Sequence, residues 1–153
     1  MRTIFVRILV VFLLLSTSLF CCAPKKVRVY ESISGIRGDI IQSSVAFMGK
    51  PYRSGARGPD AFDCSGFVYY VFKQSSVVLP VTAEGLLGMG YQIPRDSVQP
   101  GDLVFFKINK GLHLGIMLNN REFIHASKSR GVTVDNVDSS YWRRNLVSFR
   151  TVL

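Results

Sequence analysis

Three side chains in this sequence have the chemistry of a thiol nucleophile with its base. Cys64 follows Asp63, and the chain holds only two histidines, His113 and His125. A cysteine attacks a carbonyl carbon as a thiolate, an imidazole takes the thiol proton, and a third polar group orients that imidazole. One cysteine with two histidines is also typical of a zinc site, but the sequence has neither a CxxC nor an HxxxH pair. The residue types therefore favour nucleophilic catalysis over a metal site.

A helix is expected to begin at Cys64. Phe67, Val68, Val71 and Phe72 recur at spacings that predict a buried helix with a broad apolar face. The first turn of a helix has unpaired N–H groups and the positive end of the macrodipole, and both stabilise a thiolate. We therefore expect the pKa of Cys64 to lie about one unit or more below the free-thiol value of about 8.5. The same N–H groups are suited to bind an oxyanion.

Both histidines fall on predicted β-strands. The dipeptide Asn119-Asn120 tolerates positive φ and predicts a tight hairpin turn. His113 is six residues before Asn119 and His125 is five residues after Asn120, so the two histidines come near each other on paired strands. The β-rich runs are residues 102–107, 112–118, 122–126, 132–137 and 146–152.

The remaining segments complete one domain of the α+β class. The chain has 153 residues, 48% of them apolar, which is enough for one packed core. Asp39 is suited to cap a short amphipathic helix, so the domain is expected to span residues 39–153. Residues 77–99 are rich in glycine and proline and are expected to be irregular, with one short helix. Helices followed by strands predict helices packed on an antiparallel sheet of about five strands.

The N-terminus predicts export. Arg2 and Arg7 precede an apolar run of 13 residues at positions 8–20. As a helix this run spans roughly 20 Å, which is short of the roughly 30 Å hydrocarbon core of a bilayer. We interpret residues 1–21 as a signal peptide.

The segment after the apolar run resembles a bacterial lipobox. Leu19 stands three positions before Cys22, and Cys22 fits better than Cys21 as the cysteine that receives the lipid. A cleaved signal without a lipid is the alternative. Residues 22–38 predict a tether, and Cys64 is then the only cysteine of an exported domain.

The net charge of +9, from 19 basic and 10 acidic residues, favours anionic surroundings. Lipid headgroups, cell-wall polymers and nucleic acid all meet that description. Because the basic residues are scattered and no nucleic-acid-binding motif is present, we expect no nucleic-acid partner.

A set of ordered motifs resembles the NlpC/P60 cysteine peptidases over roughly residues 39–153. The motifs are Pro51-Tyr52-Arg53, Asp63-Cys64-Ser65-Gly66-Phe67, Leu79-Pro80, Pro100-Gly101-Asp102-Leu103-Val104-Phe105-Phe106, His113-Leu114-Gly115-Ile116 and Phe123-Ile124-His125-Ala126-Ser127. The resemblance implies a papain-like core that hydrolyses stem peptides of bacterial peptidoglycan without a cofactor or metal. The bond is either γ-D-glutamyl-diaminopimelate or the D-alanyl-diaminopimelate cross-link. Together with the lipobox at Cys22, the resemblance predicts a monomer anchored by lipid to the outer membrane facing the periplasm, with the cell surface as the alternative.

The resemblance also implies roles for individual residues. By position, Cys64 is the nucleophile, His113 the general base and His125 the third, orienting residue. Tyr52 matches the family tyrosine near the thiolate, which helps hold the substrate or its oxyanion.

Two further positions, Asp63 and Ser65, match those that line the pocket for the amino end of the stem peptide. Structural roles are the alternative for both of them, as a helix cap and as a first-turn residue, and for Tyr52 as core packing. Ser54, Ala56, Val81 and Gly85 depart from the family pattern. These departures leave the bond preference open.

Two other functions compete with this interpretation. A CHAP-type amidase or endopeptidase uses cysteine and histidine on a related core. A non-catalytic lipoprotein that binds the cell wall would keep the fold without the activity.

Overall fold

The computed structural model describes residues 33–153. In chain order the elements are α1 (Gly35–Ala46), α2 (Cys64–Gln74), α3 (Ala83–Leu87), β1 (Tyr91–Ile93), a 3-10 helix (Arg95–Ser97), β2 (Leu103–Ile108), β3 (Gly111–Met117), β4 (Glu122–Ser127), β5 (Gly131–Asn136), α4 (Ser140–Asn145) and β6 (Leu146–Thr151). The predicted signal peptide and the lipid acceptor Cys22 lie outside the described residues. No helix within residues 33–153 is long and apolar enough to cross a membrane.

The six strands form one antiparallel sheet in the order β1-β6-β2-β3-β4-β5. Side chains alternate between its two faces because successive residues of a strand point in opposite directions. One face packs against the helices, and its buried residues include Phe105, Leu114 and Ile124. The other face carries Phe106 and Phe123, beneath the indole of Trp142 from α4. The predicted α+β architecture is confirmed.

Helix α2 forms as the sequence predicts. Its apolar residues Phe67, Val68, Val71 and Phe72 are all fully buried. Asp63 is the N-cap, and its side chain accepts a hydrogen bond from the backbone N–H of Gly66. Because this helix lies in the main core, its first residue, Cys64, packs against that core.

Helix α1 begins at Gly35, so the predicted start at Asp39 is wrong by one helical turn. The first turn is held by tertiary contacts. The guanidinium of Arg37 donates to the carbonyl of Pro100 at 2.6 Å and to the buried carboxylate of Asp102 at 2.9 Å. These bonds join α1 to the start of β2, and residues 35–38, assigned to the tether from sequence, belong to the helix.

Three other features differ from the sequence-based expectation. The irregular segment 77–99 holds the expected short helix, α3, and also the edge strand β1; helix α4 was not predicted. The hairpin turn forms at Asn119-Asn120, but neither residue has positive φ. Instead the side-chain oxygen of Asn119 accepts hydrogen bonds from the N–H groups of residues 121 and 122, both at 2.8 Å. A side-chain bond of this kind closes a turn without a left-handed residue.

Candidate active site

Cys64 is the first residue of α2, at the junction of that helix with the sheet. The backbone N–H groups of Cys64 and Ser65, and that of Leu114 on β3, favour the thiolate and lower the pKa of the thiol. The thiol is partly exposed and is the one free cysteine in the described part of the chain. It therefore has both the access and the donors that a nucleophile and its oxyanion require.

The pKa of the Cys64 thiol is raised, whereas the sequence predicts that it is lowered. Burial raises the pKa of Cys64, and the negative charge of the adjacent Asp63 raises it further. The backbone N–H groups lower it, but their effect is the smaller one. The resting cysteine is therefore a protonated thiol near neutral pH, and it needs a base in order to react.

His113 and His125 lie next to each other, as their nearly equal distances in sequence from the Asn119-Asn120 turn predict. Nε2 of His113 lies 2.8 Å from Nδ1 of His125, and the two rings are perpendicular. His125 is 1% exposed, whereas His113 is only partly buried and lines a cavity that Cys64 also lines. Since Nε2 of His113 is engaged with His125, Nδ1 is the nitrogen available to accept a proton.

Both imidazoles are neutral near pH 7. Burial lowers the pKa of His113 to about 3, and the neighbouring His125 and the positive charge of Lys128 act in the same direction. Burial also lowers the pKa of His125, although the carboxylate of Asp135 partly opposes this. The resting site thus pairs a neutral thiol with a neutral imidazole.

A cavity of about 740 Å³ joins these groups. Tyr52, Cys64, His113 and His125 are among the residues that line it, and Lys128 adds a positive charge to the wall. Its size lies within the usual range for ligand sites. The cavity can therefore hold a peptide segment against the thiol.

The other predicted site residues occupy different surroundings. Tyr52 lines the cavity, and burial together with the charges of Cys64 and Asp63 raises the pKa of its hydroxyl. Asp63 and Ser65 are not among the residues that line the cavity. The Asp63 carboxylate accepts from the N–H groups of Gly66 at 2.6 Å and Gly55 at 2.9 Å, and the Ser65 hydroxyl donates to it at 3.2 Å. Asp63 thus caps the helix, and its role in substrate binding stays a prediction.

Three residues that the sequence does not single out extend the histidine pair. Asp135 on β5 accepts from Nε2 of His125 at 3.0 Å, and Arg130 and Trp142 donate to the same carboxylate. The alternation of side chains along β5 could have identified Asp135. Thr133 pairs with His125, and Asp135, two residues further along, lies on the same face of the sheet as Thr133. No cluster of three histidine, cysteine or acidic side chains suited to a metal ion occurs within residues 33–153.

The model of the NlpC/P60 family matches residues 49–151. "Probable endopeptidase NlpC" of Escherichia coli K12 is 39% identical over 135 residues, which is 84% of this chain and 86% of that protein. "Probable endopeptidase p60" of Listeria seeligeri is 41% identical over 114 residues, 74% of this chain; this chain spans only 22% of that protein.

Solved structures share the fold. The peptidoglycan hydrolase RipB of Mycobacterium tuberculosis superposes with a TM-score of 0.66 at 26% sequence identity. The match covers 77% of this chain and 65% of that one.

Proposed function

The chain belongs to the NlpC/P60 family, and on that premise we propose that it is a cysteine endopeptidase that cleaves peptidoglycan stem peptides. The observation that carries this proposal is the hydrogen bond between Nε2 of His113 and Nδ1 of His125, 2.8 Å long, beside the cavity that holds Cys64. It leaves one imidazole nitrogen, Nδ1 of His113, to act as the base.

The reaction begins with transfer of the thiol proton to Nδ1 of His113. The sulfur of Cys64 attacks the carbonyl carbon, and the oxyanion forms near the N–H groups at the start of α2. The C–N bond then breaks as His113 returns the proton to the leaving amine, which leaves a thioester on Cys64. A water molecule, deprotonated by His113, hydrolyses the thioester and restores the thiol.

The neutral thiol of Cys64 and the neutral imidazole of His113 are consistent with a proton transfer that takes place only when the substrate is bound. The low pKa of His113 and the raised pKa of Cys64 disfavour a permanent ion pair. A bound substrate that displaces water brings the carbonyl carbon to the sulfur, so that charge separates only as the new bond forms. Tyr52 is suited to assist, because its raised pKa keeps the hydroxyl protonated and able to donate to an oxyanion.

Family membership and the charge of the cavity wall support this substrate class. Stem peptides carry free carboxylates, and Lys128 places a positive charge at the wall of the cavity. The scissile bond is γ-D-glutamyl-diaminopimelate or the D-alanyl-diaminopimelate cross-link. Asp63 and Ser65 are proposed to bind the amino end of the peptide, which requires them to exchange part of their present hydrogen bonds.

Digestion of defined muropeptides tests this proposal. The full chain is incubated with monomeric and cross-linked muropeptides, and the products are weighed by mass spectrometry, with Cys64→Ala as the control. Release of a diaminopimelate-containing peptide identifies the γ-D-glutamyl bond, and conversion of dimers into intact monomers identifies the cross-link. Release of the whole stem peptide from the sugar would instead identify an amidase, and no cleavage at all would contradict the proposal.

We also propose that Cys22 carries a lipid that holds the domain at a membrane outside the cytoplasm. The support is the sequence pattern of Leu19 and Cys22 after an apolar run. Metabolic labelling with a fatty acid should mark the parent chain and the Cys21→Ala variant, but not Cys22→Ala. Label that persists on Cys22→Ala would contradict the assignment.

A further inference from the structure

A carboxylate lies at the far end of the histidine pair, away from Cys64. The Oδ2 atom of Asp135 is 3.0 Å from Nε2 of His125, whose Nδ1 is in turn 2.8 Å from Nε2 of His113. Three side chains on three neighbouring strands, β3, β4 and β5, thus form one hydrogen-bonded chain that leads to the cavity. The reaction described above uses only the two histidines.

Asp135 is held firmly in this position. The guanidinium of Arg130 donates to both of its oxygens, at 3.1 Å and 2.5 Å. The indole N–H of Trp142 donates to Oδ2 at 3.0 Å. The indole ring also stacks on His113 and contacts His125 edge-on, so one side chain packs both imidazoles and binds the carboxylate.

The chain of bonds fixes where each proton lies. Hydrogen bonds from His125 and Arg130 hold the pKa of Asp135 well below its ordinary value despite partial burial, so the carboxylate is ionised and can only accept. His125 must therefore carry its hydrogen on Nε2, which leaves Nδ1 as an acceptor. His113 must then donate from Nε2, and its Nδ1 carries no hydrogen.

Without the carboxylate, the opposite arrangement is also available. His125 would carry its hydrogen on Nδ1 and donate it to Nε2 of His113. His113 would then hold a hydrogen on Nδ1, the nitrogen that is not bonded to His125, and it could not accept the thiol proton there. The two arrangements keep the same hydrogen bond between the rings, so the bond alone does not choose between them.

We propose that Asp135, held by Arg130 and Trp142, is a positioning residue that fixes the tautomers of both histidines and leaves Nδ1 of His113 free to accept a proton. The catalytic part of this proposal rests on the proposed function. The tautomer part concerns the free protein and is measured without a substrate. The other charged groups near the pair are Lys128, beside His113, and Arg130, beside His125.

The variants Asp135→Ala and Asp135→Asn test the proposal in the full chain, with Asp138→Asn as the matched control. Asp138 is three residues further along, is exposed, and pairs with Arg95 at 2.8 Å rather than with a histidine. In Asp135→Asn the side chain keeps one acceptor oxygen. Because Arg130 and Trp142 both donate at the position of Oδ2, this oxygen is expected to stay there, beside Nε2 of His125. Thermal unfolding and circular dichroism establish that each variant is folded.

Nitrogen NMR of the imidazoles is the first readout. In the parent and in Asp138→Asn, Nδ1 of His113 should carry no hydrogen. In Asp135→Ala a substantial fraction of His113 should carry the hydrogen on Nδ1, and Asp135→Asn should largely keep the parent pattern. A folded Asp135→Ala protein with the parent tautomers would overturn the proposal.

The second readout is the division of the kinetic effect between kcat and KM on muropeptides. Asp135→Ala should lower kcat by at least about 10-fold with little change in KM, and Asp135→Asn should lower it less. Equal kcat values in Asp135→Ala and Asp138→Asn would overturn the catalytic part. If the parent chain cleaves nothing, the proposed function fails, while the NMR comparison still decides whether Asp135 sets the tautomers.

Discussion

Gly115 on β3 packs directly against His125 on β4. A Cβ atom at position 115 would lie 3.0 Å from Cβ of His125 and 2.7 Å from the carbonyl oxygen of Ile124. Contacts this short require the strands to separate. The missing side chain at position 115 therefore lets β4 approach β3 closely enough for His125 to reach His113.

Replacing Gly115 by Ala should move His125 away from His113. We expect a loss of about 1–3 kcal/mol in the free energy of unfolding from the overpacked strands. We also expect a fall in kcat that persists at temperatures where the variant is fully folded. Gly111→Ala is the control for stability, because the nearest atom to a Cβ at position 111 is 3.9 Å away. A Gly115→Ala enzyme with parent kcat would contradict this account of the strand spacing.

Removing the charge of Asp63 should lower the pKa of Cys64. The Asp63 carboxylate disfavours the neighbouring thiolate, and Asn caps a helix about as well as Asp does. In Asp63→Asn the midpoint of thiol alkylation against pH should therefore shift downward. Asp60→Asn removes an exposed charge from the same loop and should leave the midpoint unchanged. An unchanged or higher midpoint in Asp63→Asn would mean that the carboxylate does not act on the thiol.

Burial of the histidines should make the protein less stable at mildly acidic pH. The pKa of His113 is about 3 in the folded state and about 6.5 when unfolded, so the unfolded state binds more protons between these values. Stability is therefore lost as the pH falls below about 6.5, by at most about 1.4 kcal/mol per pH unit for each histidine. Asp135 adds little to this slope above about pH 5, since its carboxylate is ionised in both states there.

Denaturant unfolding between pH 7.5 and pH 4.5 measures that slope. His113→Asn should show a clearly shallower decline than the parent, because only His125 then takes up a proton on unfolding. Parallel declines in the two proteins would show that the buried state of His113 does not govern acid stability.

The first turn of α1 should be essential for stability. A chain that begins at Asp39 lacks Arg37 and leaves the buried carboxylate of Asp102 without its cation. We expect this chain to be less stable than one that begins at Ile33 by at least about 2 kcal/mol. Arg37→Ala in the longer chain should reproduce most of the loss. Equal unfolding midpoints for the two chains would show that the stable domain begins at Asp39, as the sequence predicts.

The sequence predicted the elements whose patterns are local and missed those that depend on distant contacts. The spacing of Phe67 and Val71 was enough to place α2, and the hairpin count was enough to bring His113 to His125. The start of α1 was missed because two glycines weaken its first turn, which Arg37 holds through contacts with residues more than 60 positions away.

The site shows the same division between local and distant effects. A helix N-terminus favours a thiolate, and that much was predictable from the sequence. The burial that outweighs it at Cys64 comes from the packed domain as a whole. Asp135 is within reach of a strand-alternation argument through the pairing of β4 with β5, whereas Trp142 reaches its carboxylate from helix α4, which the sequence does not predict.

The most direct test of the central claim is the turnover of a stem-peptide substrate by Cys64→Ala. Ala fits at the start of α2 and removes only the sulfur, so the variant should fold with parent stability and show no turnover above background. Cys64→Ser should be nearly inactive as well, because its hydroxyl stays protonated beside a weakly basic imidazole. A folded Cys64→Ala protein that cleaves muropeptides at the parent rate would contradict the assignment of Cys64 as the nucleophile, and with it the proposed mechanism.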